Sequence, residues 1–78
     1  MKRREYKQRA WRCIKAYVAD EGYERIMDDL TVECSELQWQ ELLNWIEVAD
    51  EVLKSPEVIN SGAAPLPLIR SKLEARYC

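Results

Sequence analysis

The chain has 78 residues, 47% hydrophobic and 33% charged, with 12 Lys and Arg against 14 Asp and Glu for a formal net charge of −2. That size implies one small domain, spanning 1–78, whose folding buries only about 60% of the surface its unfolded chain exposes. Two Gly, three Pro and no His argue against a sandwich or barrel, which needs many turns. They also exclude a Gly-rich phosphate loop and remove the commonest catalytic base, metal ligand and pH switch.

The first periodic segment runs from Arg3 to Glu21. Tyr6, Ala10, Cys13, Ile14 and Tyr17 recur at i, i+4, i+7, i+8 and i+11, and Trp11 and Val18 widen the stripe. This spacing predicts an amphipathic helix with an apolar face of roughly 160°, closed by Gly22 just past its end. Glu5 and Arg9 have the polarity of a favourable i,i+4 pair. From Tyr23 a short helix is expected over roughly 23–30 and then a loop, because the alternation of Leu30, Val32 and Cys34 is too brief to establish a strand.

Ser35-Glu36-Leu37-Gln38 matches a capping box and starts a second long helix, which ends near Lys54 before Ser55-Pro56. Leu37, Trp39, Leu42, Leu43, Trp45, Ile46, Val48, Ala49, Val52 and Leu53 cover about two-thirds of its circumference, whereas a surface helix shows a stripe of little more than about 100°. Such a helix is either central, covered on two sides, or it lends part of its surface to another molecule. Ser55-Pro56-Glu57 restarts a helical turn with Ser as cap and Pro in the first turn, and Asn60-Ser61-Gly62 ends it. Leu68 to Tyr77 completes the chain with Ile69, Leu73 and Tyr77 on one face. The expected fold is therefore all-α: a small irregular helical bundle of two long and two short helices.

Charge is unevenly laid out. Residues 2–15 carry seven cations against Glu5, residues 20–57 carry twelve acids against Arg25 and Lys54, and residues 70–78 are mildly basic again. A basic helix can pack beside an acidic one, or the two can face different partners. Met1-Lys2-Arg3-Arg4 resembles the start of a signal peptide, but Arg9, Arg12 and Lys15 interrupt the apolar run that would have to follow. No stretch approaches the roughly 18 apolar residues of a membrane span, so a cytoplasmic protein without a membrane partner is expected.

Candidate chemistry is sparse. Cys13, Cys34 and Cys78, with no CxxC and no His, cannot supply the four ligands of a structural zinc site; free thiols are expected, with a Cys13–Cys34 disulfide as the alternative. The cations around Cys13 favour a thiolate, but its place on the apolar stripe argues for an inert, buried thiol. Asp28-Asp29 and Glu47-Asp50-Glu51 read as solvated surface. Neither an enzyme nor a cofactor is implied.

What remains is binding by surface. Arg4, Arg12 and Lys15, with Arg9 flanking, form a cationic strip opposite the apolar stripe. Trp39 and Trp45 lie roughly 120° apart around their helix, so one of them is expected to line a partner surface, while Trp11 and the other belong to the core. The leading expectation is a protein-binding module that docks on a larger protein and modulates or blocks it. Phage-encoded inhibitors of host defence, such as anti-CRISPR proteins, have this size and chemistry. The alternatives are a small nucleic-acid-associated regulator using the basic helix, which the acidic middle of the chain opposes, and a structural subunit or homo-oligomer.

Overall fold

Residues 2–77 are described by the structure, a computed structural model; Met1, Cys78 and the side chain of Tyr77, and with them the expected third thiol and the last apolar position, lie outside the described residues. Five helices follow one another: α1 (Arg3–Ala19), α2 (Tyr23–Glu33), α3 (Glu36–Leu53), α4 (Pro56–Ile59) and α5 (Pro65–Tyr77). No strand occurs among the described residues. The protein is a small all-α fold.

Helix α1 buries Tyr6, Ala10, Cys13 and Ile14, the stripe read from the periodicity. Its end differs from expectation. Asp20, not Gly22, takes the left-handed C-cap conformation at φ 55°, which Asp tolerates because its side chain is short and polar. The Glu21 N–H then bonds the Ala16 carbonyl at 3.0 Å and the Asp20 N–H that of Tyr17 at 3.2 Å. Gly22, at φ 71°, instead opens α2, where the absence of a Cβ removes the cost of that conformation.

Helix α2 continues through Glu33, past the expected end near residue 30. Three contacts hold its last turn. The Thr31 hydroxyl donates to the Met27 and Asp28 carbonyls at 2.8 and 2.9 Å, the Cys34 N–H closes on the Leu30 carbonyl at 2.8 Å, and the Glu33 carboxylate pairs with Arg9 of α1. The last contact also replaces the expected Glu5–Arg9 pair. Leu30 is buried whereas Val32 is 86% exposed, so the Leu30–Val32–Cys34 alternation spans two faces of a helix end and is not one face of a strand.

The capping box at the start of α3 is complete. Ser35 Oγ accepts from the Gln38 N–H at 3.2 Å, and Gln38 Oε1 accepts from the Ser35 N–H at 3.1 Å. Ser55 stands at the N-cap position of α4, but its hydroxyl turns back to the Val52 carbonyl at 2.8 Å and does not cap. Helix α5 begins at Pro65, three residues before the expected Leu68. Both Pro65 and Pro67 then occupy its first turn, where a helix has no use for the missing N–H.

Helix α3 is the centre. It packs against α1 and α5, while α2 packs against α1. Its Leu42, Trp45, Val48, Ala49 and Val52 are buried, together with Leu30 of α2 and Ile69 and Leu73 of α5. The Cα trace is a slab of 38 × 27 × 16 Å, thin enough that the helices have one face inward and another to solvent. Two tyrosines pin α1 to α3. The Tyr6 hydroxyl donates to the Gln38 carbonyl at 2.9 Å, and the Tyr17 hydroxyl donates to Asp50 at 3.3 Å.

Replacing Ser35 with Ala removes one half of the capping box. Urea unfolding should show a loss of about 0.5–2 kcal/mol with the cooperativity of the transition unchanged.

Candidate functional site

The cationic strip of α1 survives in the structure with one member removed. Arg4, Arg12 and Lys15 are exposed, and among the described residues no ion pair engages them. Arg9 is spent on Glu33 of α2; the hydrogen bond to that carboxylate raises its pKa above the usual guanidinium value. The acidic middle of the chain therefore meets the basic helix at Arg9 and leaves the rest of the strip facing solvent.

Of the three tryptophans, Trp11 is placed differently from expectation. Trp45 is 6% exposed and packs its ring 6.0 Å from that of Tyr6, so it offers little surface of its own. Its position at the centre of the α3 face, toward both α1 and α5, is the reason. Trp39 is half-buried against the core on another flank of α3. Trp11, expected in the core, is also half-buried.

Trp11 lies on the wall of a groove of about 310 Å³ between α1 and α5. Trp45 and Leu73, both buried, form its floor, and Lys7, Gln8, Arg70 and Glu74 form its rim. The Arg70 guanidinium stands 6.0 Å from the centre of the Trp11 ring, the outer limit of a useful cation–π contact. Arg70 also pairs with Glu74 one turn along α5, at 3.2 Å, with both side chains largely exposed. Each contact is weak: exposed i,i+4 pairs contribute only about 0.3–0.5 kcal/mol.

The groove and the strip are continuous along α1. Arg4, Gln8, Trp11 and Lys15 follow at i, i+4, i+7 and i+11, a spacing that stacks them on one line of the helix. The sequence reading missed Trp11 as a surface residue. The available signal was its position at the edge of the apolar stripe, with Lys7 and Lys15 one turn to either side.

The other candidates are chemically quiet. Cys13 and Cys34 are free thiols. Cys13 is buried, and burial pushes its thiol up to about 11, so the neighbouring cations do not make it a thiolate. Burial raises the Cys34 thiol too. Asp28, Asp29, Glu47 and Glu51 are exposed. The half-buried Asp50 bonds Lys54 at 2.9 Å, which holds its carboxyl below the usual range, with help from the Tyr17 hydroxyl. Among the described residues no three His, Cys, Asp or Glu converge closely enough to hold a metal ion, and no helix is long and apolar enough to cross a membrane. No protein-family model, curated protein or solved structure matches the chain.

Two outcomes follow from this surface. Replacing Arg4, Arg12 or Lys15 with Gln should change stability in urea by less than about 0.5 kcal/mol each, whereas Arg9→Gln should lose about 0.2–1 kcal/mol with its ion pair. In peptide-resolved alkylation at mildly alkaline pH, Cys34 should react before Cys13. Cys13 should be modified only as fast as the protein unfolds, and should react freely in denaturant.

Proposed function

We propose that this protein is a non-enzymatic binding module that docks through the α1–α5 face on a larger protein and, by covering that protein's surface, modulates or blocks it. The observation that supports the reading is the α1–α5 groove. A half-buried tryptophan stands over a buried apolar floor, rimmed by Lys7 and Arg70 and continued by exposed cations. Tryptophan and arginine around a desolvated pocket are the residues that most often dominate protein–protein affinity. Small inhibitors of the kind phages encode against host defence are of this size and chemistry, and that assignment rests on this class likeness alone.

The nucleic-acid alternative has less support. A phosphate chain needs a continuous cationic track. Here Glu74 stands on the groove rim, Glu5 lies on the same helix as the strip, and the protein's net charge is negative.

The test compares variants against a partner captured from the native host lysate. Trp11→Ala should weaken that complex by about 2 kcal/mol or more, roughly 30-fold, while circular dichroism shows the helices unchanged. Trp39→Ala should leave binding within about twofold, since non-hot-spot positions contribute little. A partner whose binding ignores Trp11 and depends on Trp39 would move the interface to the other flank of α3.

A further inference from the structure

Resting on that reading, we infer the chemistry of the occupant: an acidic segment of the partner protein that inserts one large apolar side chain between α1 and α5 and places carboxylates on both sides of it. Three features of the groove lead there.

The first is size. At about 310 Å³ the groove lies at the bottom of the range for ligand clefts, about 300–1,000 Å³. Its α1 wall, from Lys7 to Trp11, is one helical turn, about 6 Å long. It receives a single anchor and not the whole apolar ridge of a long helix.

The second is the sign and position of the charge. On the line through Trp11, Lys15 lies about 6 Å to one side and Arg4 about 10 Å to the other, by helical rise. Neither is engaged by an ion pair among the described residues, and both are exposed. Carboxylates of a segment laid along α1 with its anchor at Trp11 reach both cations. Lys7, on the rim itself, adds a third positive group close to the anchor.

The third is the ease with which Arg70 can be recruited. Its contact with Trp11 is at the limit of range, and its pair with Glu74 is exposed. A carboxylate beside the anchor can replace Glu74 as its partner with little loss. An anchor that stacks on Trp11 also desolvates that new pair and strengthens it.

The experiment uses a display library of random dodecapeptides selected against the full chain, followed by fluorescence titration of synthetic versions of the enriched sequences. The expected consensus has a Leu, Phe or Trp with Asp or Glu on both sides. Its affinity should fall about 30-fold with Trp11→Ala. It should fall about tenfold with the double replacement Arg4→Glu and Lys15→Glu, mainly through slower association. Both charge-reversed positions are exposed, so this arm does not depend on the core tolerating the loss of a tryptophan.

A consensus without acids, an affinity indifferent to the double reversal, or no enrichment at all overturns the inference. So does tighter binding of a short oligo(dT) through the same residues. If partner capture still depends on Trp11 in any of these cases, the docking surface stands and only the acidic occupant is wrong. If it does not, both fall together.

Discussion

Helix α3 carries more apolar surface than any single neighbour can cover, and the placement of the other helices follows from that. Burying Leu42, Trp45, Val48, Ala49 and Val52 requires α1 on one side and α5 on another. In a chain this short those two helices are nearly all that is available, and α2 reaches the core through α1 with Leu30 as its buried residue. Apolar burial of this kind contributes about 1.5–3 kcal/mol per large side chain, which makes it the main term holding the slab together. The shortage of covering helices leaves incomplete edges: Leu37 remains 83% exposed, and the gap between α1 and α5 is the groove.

The polar contacts between helices are few and serve alignment. Tyr6 to the Gln38 carbonyl, Tyr17 to Asp50, and Arg9 to Glu33 each tie α1 to a neighbour at a different point along its length. A hydrogen bond of this type contributes about 0.5–1.5 kcal/mol net, small beside the core. Three such points, at positions 6, 9 and 17, nevertheless fix the sliding and rotation of α1 that a smooth apolar stripe would leave loose. Rotation matters here because it sets which residues of α1 face outward. Tyr6 and Tyr17 turned toward α3 put Trp11 beside α5 and leave Arg4, Arg12 and Lys15 in solvent.

This geometry gives the uneven charge of the chain a direction. Seven cations near the start and twelve acids in the middle would cancel if α1 lay with its basic face on α2 and α3. It lies with its apolar face there instead, because apolar area removed from water outweighs exposed ion pairs. Arg9, at the border between the two faces, pairs with Glu33 of α2. The uncancelled strip next to an apolar groove is what makes this face suited to a partner, and the acids of α2, α3 and α4 keep the net charge negative.

Local patterns in the sequence determined the all-α class, the apolar stripe of α1, the capping box of Ser35 and Gln38 and the end of α3, because each depends on residues within a turn or two of one another. Local reasoning failed where two residue types satisfy the same backbone need or where a partner is distant. Asp20 replaced Gly22 at the end of α1 because both tolerate a left-handed conformation. The last turn of α2 has a distant partner as well as local ones: Arg9, far away in sequence, pairs with Glu33. The cationic strip was legible as a helical line, while the groove beside it was not. Trp11 and Trp45 become wall and floor of one cavity only when α5 brings Leu73 and Arg70 between them, and no spacing within α1 or α3 encodes how closely α5 approaches. The tertiary structure alone decided that Trp45 is buried and that Trp11 is only half-buried, since a helical wheel gives the direction of a side chain but not how much neighbouring chain is there to cover it.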